Sequence, residues 1–228
     1  MSIRIEDAPS PNSDARGRGV DMVVLHYTGM QTGAEALDRL RDPAAKVSAH
    51  YLVEEDGRVF RLVAEENRAW HAGVASWRGE SDINARSVGI EIVNPGHEWG
   101  YRPFPEEQVA AVIDLVAGVV ARHGVKPARV VGHSDVAPER KEDPGELFPW
   151  DRLAEKSLAI GTYRGAPDPS VDYFDALKAI ADIGYDAPDR AHAAAVLAFQ
   201  RRFCPAALGQ GLSPLTKAAA IWAAGEAS

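Results

Sequence analysis

Two histidines occupy matching positions in this chain. His26 closes the apolar run Met22-Val23-Val24-Leu25, and His133 follows Val130-Val131-Gly132. Each marks the point where a buried strand gives way to a polar loop, which is where α/β proteins set their sites. Asp143 lies ten residues beyond His133, close enough for a loop to return it to the strand end. Two imidazole nitrogens and a carboxylate oxygen suit zinc and leave one position open for water. Spacing alone does not decide the matter, because isolated histidines more often face solvent or hold structural hydrogen bonds, and the chain has seven.

Glu91 adds a second group. It stands in Val88-Gly89-Ile90-Glu91-Ile92-Val93, on the face opposite Val88, Ile90 and Ile92 if the segment is a strand. A carboxylate in such a run is paired, solvated in a cleft or protonated. It is either an edge-strand charge facing water or a general base beside a metal site. Lys141, two residues before Asp143, is a surface charge or, near a metal, a cation that stabilises the oxyanion formed when an amide carbonyl is attacked. Neighbouring Arg140 has the same chemical claim. Trp70, His71, Trp77, Trp99 and Tyr101 gather in a region with many glycines and little regular patterning. They either wall a groove for sugar or peptide or pack beneath long loops.

Periodicity outlines the elements that must position these groups. Met22 to Tyr27 reads as a buried strand, and His50 to Val53 with Arg58 to Val63 as a hairpin turning at Asp56-Gly57. Val88 to Val93 and Arg129 to Gly132 read as further strands. A helix over Glu106 to Arg122 carries Val109, Val112, Val116, Val119 and Val120 on one stripe, with Pro105 suited to its first turn. A shorter helix is expected around Ala34 to Leu40, and a sheet covered by helices follows, in the α/β class.

Beyond a stretch at 161–170 rich in Gly, Pro and Asp, three helices are expected, at Tyr173 to Ile183, Arg190 to Phe203 and Pro214 to Ala224. Ser213 suits the cap of the last and Gly225 its end. Phe174, Leu177, Ile180, Val196, Phe199, Phe203, Leu215 and Trp222 are the candidate core of this small bundle. The chain thus divides into residues 1–165 and 166–228.

Composition narrows the partners. A net charge of −8 argues against nucleic acid, whose phosphates are met by clustered Lys and Arg. The single cysteine, Cys204, permits no intrachain disulfide and no thiol metal cluster. The first residues show no apolar signal core and the chain no membrane-spanning run. A cytoplasmic monomer without membrane insertion is expected; were the start a trimmed one, export would fit instead.

Four segments in order sharpen the reading: Val24-Leu25-His26-Tyr27-Thr28, Ser48-Ala49-His50-Tyr51-Leu52-Val53, Ser87-Val88-Gly89-Ile90-Glu91-Ile92, and Gly132-His133-Ser134-Asp135 through Lys141-Glu142-Asp143-Pro144-Gly145. From Val20 to Leu158 the chain resembles the zinc-dependent N-acetylmuramoyl-L-alanine amidases of the type-2 amidase family, which are related to the peptidoglycan recognition proteins. The resemblance implies a mixed central sheet flanked by helices. It implies one Zn2+ per chain on His26, His133 and Asp143, with Glu91 as general base and Lys141 stabilising the carbonyl oxygen. His50 falls outside the metal shell, as a structural residue or at the edge of the substrate groove. Trp70, His71, Trp77, Asn84 and Arg86 match substrate-side segments.

The implied reaction is hydrolysis of the amide between the lactyl group of N-acetylmuramic or 1,6-anhydro-N-acetylmuramic acid and the L-alanine of the stem peptide. Anhydro-muropeptides or peptidoglycan would be the partners, in peptidoglycan recycling. An exported or phage-type enzyme acting on intact wall and a non-catalytic muropeptide sensor are the alternatives. The segments Ala179 to Tyr185, Val196 to Phe203 and Leu215-Thr216 resemble a three-helix peptidoglycan-binding domain, although many alanines smooth its surface and favour a bracing role as the alternative.

Overall fold

Alternation along the central strands decides which side of the sheet each residue serves. The computed structural model describes residues 4–186 and 192–228. Its strands are β1 (Ile5–Asp7), β2 (Ser13–Ala15), β3 (Met22–Tyr27), β4 (Tyr51–Val53), β5 (Val59–Arg61), β6 (Asn67–Ala69), β7 (Ser87–Ile92) and β8 (Val130–Gly132). Its helices are α1 (Gly33–Arg41), α2 (Ile83–Arg86), α3 (Gly96–Trp99), α4 (Glu106–His123), α5 (His133–Val136), α6 (Trp150–Ala154), α7 (Tyr173–Ile183), α8 (His192–Phe203) and α9 (Pro214–Glu226). Six strands form a sheet in the order β1-β5-β4-β7-β3-β8, while β2 and β6 pair separately. Every neighbouring pair in the large sheet is parallel except β4 with β5. The sheet is thus mixed, and the chain is of the α/β class.

On one face Val23, Leu25, Val88, Ile90, Ile92 and Val130 pack against the valine stripe of α4. Val109, Val112, Val116 and Val119 are buried there. Burying each is worth about 1.5 kcal/mol or more, which outweighs a helix-propensity cost of under about 0.7 kcal/mol per β-branched residue. The helix stops where Gly124, at φ 65°, donates its N–H to the Val120 carbonyl. Pro105 is its cap residue, one position before the expected first turn. The β4–β5 hairpin turns at Gly57, whose φ of 82° suits glycine.

On the opposite face Met22, Val24 and Val131 share one cluster with α7, α8 and α9. The core of the tail helices is therefore continuous with that of this sheet face. Two expectations for this region are corrected. Phe174 is 75% exposed, because α7 and α9 meet through Ala176, Ala179, Ala219, Ala220 and Ala223. Side chains that small bring the helices too close to admit the phenyl ring between them. Gly225 does not end α9, which continues to Glu226. Arg190, the expected start of the second tail helix, lies outside the described residues. No described helix is long and apolar enough to cross a membrane.

Candidate active site

The strand register brings the first two groups together. β3 and β7 run parallel with His26 paired to Glu91, so both side chains leave the sheet on the same face. β8 pairs with β3 through Gly132 opposite Leu25, and His133 follows as the first residue of α5. A Cβ on Gly132 would lie 2.7 Å from Pro144 Cδ, so glycine here lets the next loop fold back over the strand end. The Ser134 N–H donates to the Asp143 carbonyl at 2.8 Å, and the Asp135 carboxylate accepts from the Gly132 N–H at 2.7 Å, capping α5.

Three donors converge as a result. His26 Nδ1 and His133 Nδ1 are 2.9 Å apart, and Asp143 Oδ2 lies 3.1 Å and 2.9 Å from them. All three residues are buried. The far nitrogens face away: His133 Nε2–H donates to the Ala72 carbonyl at 3.1 Å, and His26 Nε2 is 3.0 Å from His71 Nδ1. Burial, reinforced by neighbouring His133, lowers the His26 pKa to about 4 against the pull of Asp143. Burial alone would raise Asp143, but His133 and His26 overcome it and hold the carboxyl well below the usual range. A neutral imidazole and an ionised carboxylate are the forms in which these groups ligate metal, and a two-nitrogen, one-oxygen set fits zinc with an open position.

Glu91 stands beside this cluster. Its Oε2 is buried without a hydrogen-bond partner among the described residues, and burial, with the nearby Asp143 charge, raises its pKa well above the usual carboxylate value while Lys141 opposes. An unpaired buried carboxylate is costly and marks functional sites. A cavity of about 400 Å³ opens over these residues, with Lys141, Tyr27, Arg39 and Trp70 in its walls. The structure separates the two cations that chemistry left level. Arg140 donates to the Ala72 and Val74 carbonyls and is committed to the loop, whereas Lys141 makes no such bonds among the described residues.

The expected substrate-side residues divide. Trp70 and His71 line the cavity, but both ring nitrogens of His71 face protein partners, His26 and, at 3.2 Å, Ser87 Oγ. Burial above all, with His26 and His50 close by, holds the His71 pKa well below its ordinary value. His50, Trp77, Asn84 and Arg86 lie outside the cavity wall. His50 Nδ1 accepts from the Gly89 N–H, and its Nε2 lies 2.7 Å from Arg16 Nη2 and 3.1 Å from the Asn67 carbonyl oxygen. Trp77 is buried edge-on against Tyr185 beneath the tail. Asn84 Oδ1 accepts the His71 and Ala72 N–H groups, and Arg86 pairs with Asp21 and Glu80. These four hold the frame around the cavity. Sequence reasoning missed Ser87 and Gly89, although the period-2 pattern that isolates Glu91 puts both on its face.

The tail reaches the same loop from behind. Tyr185 donates to Asp135 Oδ1 at 2.6 Å, and Arg202 Nε lies 3.8 Å from Asp135 Oδ2. The Arg202 guanidinium sits over the Trp150 ring, and Arg201 pairs with Glu142 at 3.1 Å.

The N-acetylmuramoyl-L-alanine amidase family matches this chain over residues 16–146. The chain belongs to that family. The N-acetylmuramoyl-L-alanine amidase AmiD of Escherichia coli strain K12 is 36% identical over 211 residues, covering 82% of this chain and 75% of its own. The 1,6-anhydro-N-acetylmuramyl-L-alanine amidase AmpD of Enterobacter cloacae is 36% identical over 164 residues, 64% of this chain and 86% of its own. Among solved structures, Escherichia coli AmiD in complex with anhydro-N-acetylmuramic acid-L-Ala-D-γ-Glu-L-Lys matches with a TM-score of 0.80 at 33% identity, over 91% of this chain and 90% of that one. AmpDh3 of Pseudomonas aeruginosa matches at 0.78 and 33%, over 92% of each chain. The likeness to AmiD and AmpDh3 extends into the tail helices, well past the end of the family match, so the sheet and its helical neighbour recur together.

Proposed function

We propose that this amidase hydrolyses the bond between the lactyl group of 1,6-anhydro-N-acetylmuramic acid and the L-alanine of the stem peptide, in peptidoglycan recycling, with one Zn2+ held by His26, His133 and Asp143. The observation that carries the reading is the convergence of those three donors within 3.1 Å of one another beside the unpartnered Oε2 of Glu91. The anhydromuramic ligands in the AmiD and AmpDh3 structures support the choice of substrate.

When bound, zinc supplies Lewis acidity to the scissile carbonyl and lowers the pKa of the attacking water. Glu91 takes the proton from that water, and its raised pKa suits it to hold the proton until the alanine amine departs with it. The Lys141 ammonium stabilises the carbonyl oxygen as negative charge develops there. His26, His133 and Asp143 stay fixed throughout, so little reorganisation is asked of the site.

The test incubates the zinc-loaded protein with a defined anhydro-muropeptide and with polymeric peptidoglycan and identifies the products by mass. Free peptide beginning at L-alanine, released faster from the soluble fragment, is the expected outcome. Glu91→Gln should retain zinc and lose roughly 100- to 10,000-fold in turnover. Binding of the muropeptide without cleavage by the zinc-loaded protein would replace this reading with non-catalytic sensing.

A further inference from the structure

A chain of hydrogen bonds runs from the main chain to the metal face of His26, and its direction can be worked out from one end. The Ile83 carbonyl can only accept, so Ser87 Oγ donates to it at 2.6 Å. The lone pairs of Ser87 Oγ then face His71 Nε2 at 3.2 Å, which places the His71 proton on Nε2. His71 Nδ1 is left as an acceptor, 3.0 Å from His26 Nε2, and takes the proton that His26 carries there. His26 Nδ1 consequently keeps its lone pair, aimed at the point shared with His133 Nδ1 and Asp143 Oδ2. The opposite tautomer would present an N–H to the centre and could not ligate.

The fold makes room for this arrangement. A Cβ on Gly89 would lie 2.4 Å from His71 Cγ, so the glycine two residues before Glu91 is the seat of the His71 ring. The His71 main chain is fixed from the other side, where its N–H donates to Asn84 Oδ1 at 3.1 Å. His71, Ser87 and Gly89 are buried, so water does not compete for these bonds.

We propose that His71 is a positioning residue that selects the metal-binding tautomer of His26, with Ser87 setting the direction of the chain and Gly89 its space. His71 thus acts through His26 and leaves the substrate to other cavity residues. The inference rests on the metal reading above and goes beyond it in assigning a role to a residue outside the donor set.

The test measures zinc affinity by competition with a chelator and reads histidine tautomers by 15N NMR in the full-length protein. In the zinc-loaded wild type, His26 is expected to carry its proton on Nε2 and His71 likewise. His71→Leu removes the acceptor and should weaken zinc binding 10- to 100-fold, the range for outer partners of a ligating histidine. His71→Asn, whose Oδ1 stands in for Nδ1 as acceptor, should restore affinity to within about threefold of wild type. Ser87→Ala, which leaves the ring in place, should shift the His71 proton from Nε2 toward Nδ1, with a smaller loss of zinc affinity than His71→Leu. A zinc-loaded wild type with the His71 proton on Nδ1, or a folded His71→Leu protein with undiminished affinity, would overturn the proposal. If His71→Leu does not fold, the wild-type and Ser87→Ala spectra decide. A wild type that binds no zinc would instead sink the metal reading itself.

Discussion

His26 and His133 present the same atom to the same point, yet they are held in different ways. His26 grows from β3, between β7 and the edge strand β8 of a six-stranded sheet, and is backed by side chains, His71 and then Ser87. His133 opens a four-residue helix and is backed by a main-chain carbonyl, that of Ala72. Its helix is anchored through Asp135 to Tyr185 and Arg202 of the tail. The sheet half therefore draws its precision from strand register and local packing. The loop half draws it from residues some 50 to 67 positions away in sequence, so damage to the tail should be felt on the His133 side first.

Removing a shared donor should abolish the distinction. Asp143→Ala takes the oxygen that both histidines face, and zinc affinity by chelator competition should fall by at least about 100-fold, beyond the loss expected for an outer partner. A smaller loss would mean that the two histidines suffice.

Arg202→Met tests the tail's part. It strips a buried carboxylate of its counter-charge, a change that typically costs about 3 kcal/mol or more. In a protein of this size that lowers Tm by roughly 6–12 °C, and Asp135→Asn in the same chain should recover part of the drop. If calorimetry shows no loss, the tail is an ornament on the loop and the comparison between halves fails.

Glu65→Gln supplies the contrast on the sheet side. Glu65 accepts bonds from Tyr51, Arg122 and His123, tying the end of α4 to β4. Burial alone would raise its pKa, but the bonds from Arg122, Tyr51 and His123 lower it to about 2. Its stabilisation is fully present above the ordinary value of 4.5 and is lost as pH falls from there toward 2. The substitution should cost on the order of 2 kcal/mol near pH 7, with the two denaturation curves converging below about pH 4.5 and zinc affinity unchanged. A gap that persists into acid would show that packing, and not charge, is what Glu65 contributes.

Much of this was legible beforehand. Period-2 alternation isolated Glu91 from Val88, Ile90 and Ile92, and the apolar stripe of α4 was read to within a residue at each end. The motif order placed His26, His133 and Asp143 in one set, and the structure brings them together. What stayed hidden was contact across the sequence. His71, Asn84 and Arg86 look like loop polarity when read singly, and only the folded chain reveals that each is spent on a neighbour. Large aromatics such as Phe174 attract a core assignment, yet α7 and α9 close on alanines whose small size carries no periodic signal. Strands of three residues, such as β1, β2 and β6, are too short to show a period at all.

Strand β7 carries the outcome of folding and the outcome of catalysis on its two sides. Ser87, Gly89 and Glu91 alternate with Val88, Ile90 and Ile92, and a slip of one residue against β3 would exchange the sets. The valine and isoleucines would then crowd the cavity, and a carboxylate would be forced under α4. A misregistered chain therefore fails as a folded protein before it can persist as an inactive enzyme, so molecules that survive with β7 in the sheet are already proofread for the placement of Glu91.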